Sequence, residues 1–211
     1  MRKYDWIVDE MAKFFPDAHC ELVHDNPFQL AVAVVLSAQT TDAAVNKVVP
    51  NLFAVYPTSK EMAKATPQEI EPYIARLGLY KNKAKSIVGL AQTLERNFNG
   101  IMPSSIAQLT TLPGVGRKSA NVIRSVCFDI PSFAVDTHVT RVSKRLKLAK
   151  MDDDVLAIET KLKRKISRDK WNQAHHTFIF WGRYKCKAQS PDCQDCPFQD
   201  FCVTYNKKNP R

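Results

Sequence analysis

An all-α fold is predicted for this sequence of 211 residues by three observations. No stretch sustains the apolar–polar alternation of a half-buried strand, apolar positions recur at helical spacing, and the segments open and close on residues that cap helices. Asn26-Pro27-Phe28-Gln29 opens a strongly apolar helix through Ser37, with asparagine at the cap, proline in the first turn and glutamine placed to reach back. Thr66-Pro67-Gln68-Glu69 opens another in the same manner, and Gly78 is its expected stop. Lys81 to Phe98 reads as a long amphipathic helix closed by Asn99-Gly100. Ser104 caps a short helix that runs into Leu112-Pro113-Gly114-Val115-Gly116-Arg117-Lys118, and the next helix continues to about Cys127. Asp136, and then Asp152 to Asp154, offer caps further on, and Trp171 to Tyr184 is the last long helix. Phe128-Asp129-Ile130-Pro131-Ser132 reads as a linker, and a cleft between two helical lobes would bring Lys118 and Asp136 face to face.

The formal net charge is +10, and it is unevenly placed. Residues 1 to 105 hold 11 Lys+Arg and 11 Asp+Glu, whereas residues 106 to 211 hold 20 and 10. A basic half beside a neutral one points to a polyanion partner held with salt-dependent affinity. The run Lys161-Leu162-Lys163-Arg164-Lys165 reads equally as a solvated helix face. The start, Met1-Arg2-Lys3-Tyr4-Asp5-Trp6, has no signal-peptide character. The longest apolar run, Leu30 to Leu36, is 7 residues. A membrane span needs about 18, so a soluble, cytoplasmic protein is expected.

Gly114 and Gly116 flank a single apolar residue directly before the helix-forming run Lys118 to Ser125. Glycine lets the chain turn with positive φ and leaves amide N–H groups uncovered by a Cβ. Amides gathered at a helix start favour a phosphate, so this hairpin can hold a nucleic-acid backbone without reading its sequence. Arg117 would share that backbone contact. A plain turn between packed helices is the alternative, since Gly-x-Gly spacings are common.

Cys186, Cys193, Cys196 and Cys202 are spaced C-x6-C-x2-C-x5-C. Thiols this close in a reducing compartment point to a metal rather than to disulfides. Structural zinc usually takes two close pairs, whereas a four-iron cluster tolerates unequal loops; spacing favours iron–sulfur but leaves zinc open. Cys20 and Cys127 stand apart in or beside apolar segments and read as buried small hydrophobes.

Lys118 and Asp136 lie 18 positions apart. A lysine attacks a carbon only as the neutral amine, which its usual pKa of about 10.4 makes scarce at pH 7. A helix N-terminus and partial burial in a cleft both disfavour the ammonium. A carboxylate nearby can accept the proton or stabilise a developing cation, and an amine attacking a sugar carbon gives a Schiff base from which β-elimination can follow. Asp136 is also a plausible N-cap, which would hold its carboxylate aimed.

Leu112 to Lys118, Val135-Asp136-Thr137-His138 and the cysteine loop, in this order, closely resemble the endonuclease III family of helix-hairpin-helix DNA glycosylases. The resemblance covers nearly the whole chain, including Leu36-Ser37-Ala38-Gln39 and Leu77-Gly78-Leu79-Tyr80. It implies a two-lobed helix-hairpin-helix fold with a six-helix domain over residues 21–130, and a cluster domain made of 1–20 together with 131–211. It further implies a bifunctional glycosylase and abasic-site lyase for oxidised pyrimidines, and a [4Fe–4S] cluster on the cysteines in place of zinc. By position, Lys118 resembles the Schiff-base nucleophile and Asp136 the catalytic carboxylate. Gln39 and Leu79 resemble residues that fill the gap left by a flipped nucleotide, and Gly114, Gly116, Arg117 and His138 fall among the DNA contacts. Flipping is needed because C1′ is obstructed in a stacked duplex. The implied partner is double-stranded DNA with damaged pyrimidines or abasic sites, bound by a monomer at the nucleoid. The sequence departs from the family in one place. Between the first two cysteines the family often carries several basic residues, and here the stretch is Lys187-Ala188-Gln189-Ser190-Pro191-Asp192, with Lys185 just before it.

Two other readings fit part of the pattern. An adenine-specific relative shares hairpin and cluster but lacks the lysine and carries a glutamate in the helix matching Phe28 to Ser37, which here contains no acid. A non-catalytic DNA-binding protein with a zinc knuckle would be colourless.

Overall fold

The structure is a computed structural model that describes residues 2–208, and among them all regular secondary structure is helical. The helices are α1 (Asp5–Phe14), α2 (Pro27–Leu36), α3 (Asp42–Asn46), α4 (Val49–Val55), α5 (Ser59–Met62), α6 (Pro67–Ile74) and α7 (Tyr80–Phe98). They continue with α8 (Ile106–Leu109), α9 (Arg117–Phe128), α10 (Thr137–Arg145), α11 (Val155–Lys165), α12 (Trp171–Phe180) and α13 (Val203–Lys208). Among the described residues no helix is long and apolar enough to cross a membrane. The chain forms two compact units, Glu21–Phe128 and Met1–Cys20 with Asp129–Arg211.

In the unit 21–128, α2 is the centre. Every residue from Phe28 to Leu36 is buried, as expected of a helix apolar on all faces. Its start follows the sequence: Asn26 Oδ1 accepts from the Gln29 amide at 3.0 Å, and Gln29 Oε1 accepts from the Asp25 amide at 2.8 Å. The apolar face of α7 (Ala84, Ile87, Val88, Leu90, Ala91 and Leu94) and Ala120, Val122 and Ile123 of α9 complete the core. Thr66 and Glu69 form the reciprocal capping box of α6. That helix ends at Ile74, however, and the left-handed residue before α7 is Leu79 (φ 60°), not Gly78. Ser105 rather than Ser104 caps α8, accepting from the Gln108 amide at 3.2 Å. Asn99 (φ 51°) and Gly100 (φ 76°) end α7, and the Gly100 amide bonds the Leu94 carbonyl at 3.1 Å.

The other unit packs α1 (Ile7, Val8, Met11) with Val139 and Val142 of α10, Ile158 and Leu162 of α11, and Phe178, Trp181 and Phe198. Asp5 is fully buried and accepts from the Ser167 amide (2.8 Å), the Ser167 hydroxyl (2.7 Å) and the Arg2 amide (2.6 Å). Burial pushes this carboxyl up, but the bonds from Ser167 and Arg2 outweigh it and leave Asp5 below the usual carboxylate range. Arg2 caps the end of α11 through the carbonyls of Lys163, Arg164 and Ile166. Asp154 caps its start.

The expected helix to Tyr184 changes pitch: α12 gives way to a π turn over Trp181–Lys185, closed by Cys186 N–H to Trp181 O at 2.6 Å. The wider turn seats Gly182 against His138, where an added Cβ would meet that residue's Cβ at 2.7 Å. Cys20 and Cys127 are half-buried rather than buried.

Candidate active site and cysteine pocket

The hairpin is built for close approach at one glycine and for openness at the other. Gly114 has φ +80°, and a Cβ there would meet Val35 Cγ1 at 2.8 Å and Ser86 Cβ at 3.2 Å. Only glycine lets the hairpin sit this tightly on α2 and α7. Gly116 has nothing within 4 Å of an added Cβ, so the face leading into α9 is open. The amides of a helix's first turn have no acceptor inside the helix, and here they follow an uncovered glycine. Arg117 and Lys118 are both exposed on that first turn. The partial burial expected for Lys118 is therefore not seen.

Gln39 (φ 54°) and Leu79 (φ 60°) both occupy the left-handed region, and both are exposed, Leu79 by 59%. Non-glycine residues held there cost roughly 1–2 kcal/mol each and collect at functional sites. Their turns are brought together by Lys83, whose Nζ donates to Thr40 Oγ1 at 2.5 Å.

Lys118 belongs to one unit and Asp136 to the other. Asp136 is the N-cap of α10, where Oδ1 accepts the Val139 amide at 2.8 Å, and it is half-exposed. His138 follows, half-buried, with Nδ1 3.2 Å from Arg141 Nη2. Burial lowers its pKa, the Asp136 charge pulls it back up, and Arg141 and Arg183 push it down again; the net direction is down. Arg141 also donates to Gly182 O (2.7 Å) and Cys186 O (3.1 Å). One turn on, Arg145 reaches Cys186 Sγ (3.2 Å), Lys187 O (2.7 Å) and Ala188 O (3.1 Å). Thus α10 carries the carboxylate at its start and anchors the cysteine loop from its other end. Sequence reasoning missed both arginines; their spacing of 4 from each other, and of 3 from His138 to Arg141, was the available signal.

Cys186, Cys193, Cys196 and Cys202 all line one pocket, beside Arg145 and Trp181. Among the described residues no three His, Cys, Asp or Glu side chains close on a point that would hold a single ion. Four thiols around one pocket give an all-sulfur donor set that fits a four-iron cluster. Burial pushes the Cys186 and Cys196 thiols up, while Arg145 favours the Cys186 thiolate, so metal uptake must displace protons.

Several basic side chains of the 106–211 half are engaged within the protein. Lys185 Nζ bonds Asp192 (3.1 Å) and Gln194 O (2.9 Å), which pins the cysteine loop. Lys161 pairs with Asp153 at 2.6 Å, Lys163 with Glu159 at 2.6 Å, and Lys165 bonds Leu148 O at 2.8 Å, while Arg164 of the same run is exposed.

Comparison with known proteins agrees with this geometry. A family model described as HhH-GPD superfamily base excision DNA repair protein matches residues 32–168, and the iron–sulfur binding domain of endonuclease III matches residues 186–202. Endonuclease III of Bacillus subtilis (strain 168) is 46% identical over 209 residues, covering 99% of this chain and 95% of that protein. The Escherichia coli (strain K12) endonuclease III is 39% identical over 193 residues, 92% and 90% of the two chains. A solved structure of a trapped endonuclease III–DNA covalent intermediate superposes with a TM-score of 0.92 at 52% identity, covering 98% of this chain and 96% of that one. Fold and site define a helix-hairpin-helix glycosylase of base excision repair. Within that superfamily the chain belongs to the endonuclease III family. It is a DNA glycosylase and abasic-site lyase that carries a [4Fe–4S] cluster.

Proposed function

We infer that the chain excises oxidised pyrimidines from duplex DNA and then cleaves the strand by β-elimination, with Lys118 as nucleophile and Asp136 as the assisting carboxylate. The observation that carries this reading is the hairpin: Gly114 locked against Val35, Gly116 open, and Lys118 exposed on the turn that follows. A strand phosphate held by those amides and by Arg117 would present the adjoining sugar to the Lys118 amine. The neutral amine attacks C1′ as the damaged base departs with the glycosidic electron pair; the amine then gives up a proton, the C1′–O4′ bond opens to leave an iminium, and loss of the acidified C2′ proton breaks the C3′–O bond and expels the 3′ phosphate. Asp136 keeps one oxygen on the Val139 amide and offers the other to the lysine proton or to the developing positive charge at the sugar.

The domains of this reading run over 21–130 and over 1–20 with 131–211, with Lys118 in the first and Asp136 in the second. Gln39 and Leu79, raised and exposed, would fill the space of the extruded nucleotide, and His138 would lie near the strand. The working form is a monomer acting in the cytoplasm at the nucleoid. The cluster supplies structural closure of the loop, held by the four cysteines and by Arg145. The test is a duplex carrying one thymine glycol, with base release and strand scission followed separately. Both should appear together with wild-type protein, and release without scission would contradict the lysine mechanism.

A further inference from the structure

Lys83 is a buried cation with no evident reason in the fold. It is 5% exposed, and its backbone amide bonds the Leu79 carbonyl at 3.0 Å. Its ammonium donates to Thr40 Oγ1 at 2.5 Å, 43 residues away in sequence and directly beside Gln39. Among the described residues no carboxylate pairs with it, and burial pushes its pKa down. A buried ammonium with one of three donors bonded weakens a fold compared with an apolar side chain of similar length. Stability alone would favour methionine at this position.

What the ammonium does is join two strained turns. The Gln39 turn is closed locally by Thr40 N–H to Ser37 O at 3.1 Å, and the Leu79 turn by Leu77 N–H to Ile74 O at 2.9 Å. Each of these bonds stays within its own turn. The Lys83–Thr40 bond connects them: Thr40 adjoins Gln39, and Lys83 sits one helical turn beyond Leu79, whose carbonyl its amide bonds.

We propose that Lys83 is a positioning residue that locks the Gln39 and Leu79 turns into one rigid wedge, so that both side chains enter the duplex at a fixed spacing. This rests on the reading that Gln39 and Leu79 fill the gap left by an extruded nucleotide. Without the link each turn moves on its own, and the extruded state loses stabilisation while hairpin binding to the backbone is untouched.

The test uses Lys83→Met, which keeps the apolar stem, with Thr40→Val and the double variant. Extrusion is read by the fluorescence of 2-aminopurine placed opposite an abasic site. Lys83→Met should melt at or above the wild-type temperature and bind undamaged duplex within about two-fold of wild type, because the hairpin supplies that affinity. Single-turnover excision from a thymine-glycol duplex should fall about 10-fold or more, with a smaller fluorescence rise, since sub-ångström misplacement is costly in rate. Cleavage of a single-stranded abasic oligonucleotide, which needs no wedge, should be unchanged. Lys83→Arg should restore part of the duplex rate, and the double variant should lose no more than Lys83→Met alone. Equal loss on single-stranded and duplex substrates, or wild-type excision and fluorescence in Lys83→Met, overturns the proposal. If Gln39→Ala and Leu79→Ala also leave the fluorescence unchanged, the wedge reading itself fails; if they depress it and Lys83→Met does not, only the role of Lys83 fails.

Discussion

The two hairpin glycines should respond oppositely to alanine, and the structure sets the sizes. At Gly114 the added Cβ lies 2.8 Å from Val35 Cγ1 and 3.2 Å from Ser86 Cβ, on a backbone with φ +80°. The left-handed conformation costs an L-residue roughly 1–2 kcal/mol, and forcing a methyl into packed surroundings about 1–3 kcal/mol more. A middle value of about 3 kcal/mol corresponds to a fall in Tm of roughly 6–12 °C for a chain of this size. At Gly116 nothing lies within 4 Å of the added Cβ. Gly116→Ala should leave stability unchanged or raise it by up to ~1 kcal/mol, because the unfolded chain loses freedom. The same methyl covers the face proposed for the phosphate, so duplex affinity should drop while folding does not. Thermal unfolding and fluorescence anisotropy with an undamaged duplex at fixed salt measure both effects. Unchanged Tm in Gly114→Ala would refute the packing argument. Full duplex affinity in Gly116→Ala would refute the use of that open face.

Three further outcomes follow from other parts of the molecule. Asp136→Asn retains the capping bond to Val139 but loses the charge, so base excision should fall ~100-fold or more with Tm little changed and binding retained. Arg117→Ala should weaken damaged and undamaged duplexes alike and lower the salt slope by roughly one, as loss of a phosphate contact does; a loss confined to damaged DNA would contradict it. His176 is pushed down to about 4 by burial and by the nearby His19. It is neutral in the fold and takes a proton at about 6.5 when unfolded, so its contribution is complete above that pH and is lost as pH falls toward 4. The loss amounts to about 3 kcal/mol, and His176→Gln should flatten the Tm profile across this window. Asp5 and Asp153, both held below the usual carboxylate range, give up their contributions only at lower pH.

The helix starts at Asn26, Thr66 and Asp154 were legible because a side chain caps each of them locally ahead of a helix of 8 residues or more. The hairpin and the cysteine loop were legible because their residue types are tied to a backbone or ligand chemistry. The stop of α6 was misread because glycine is the usual left-handed residue, whereas here Leu79 takes that conformation and the surrounding packing must hold it. Helices α3, α4 and α5, of 5, 7 and 4 residues, went unplaced because pieces that short depend on tertiary packing rather than on their own pattern. Charge counting located the basic half but could not see that Lys161, Lys163 and Lys185 are consumed by Asp153, Glu159 and Asp192. Nor could it separate Lys83 from its exposed neighbours Lys81 and Lys85, since burial is a property of the fold.

The central claim, that Lys118 is the nucleophile, is tested most directly by borohydride trapping on a thymine-glycol duplex. Wild-type protein should give a covalent protein–DNA adduct as the iminium is reduced, and Lys118→Ala should give none. The variant should fold normally, because an exposed lysine in a first helical turn buries little apolar area. An adduct formed by Lys118→Ala in wild-type yield would assign the attacking amine elsewhere and contradict the account of the site.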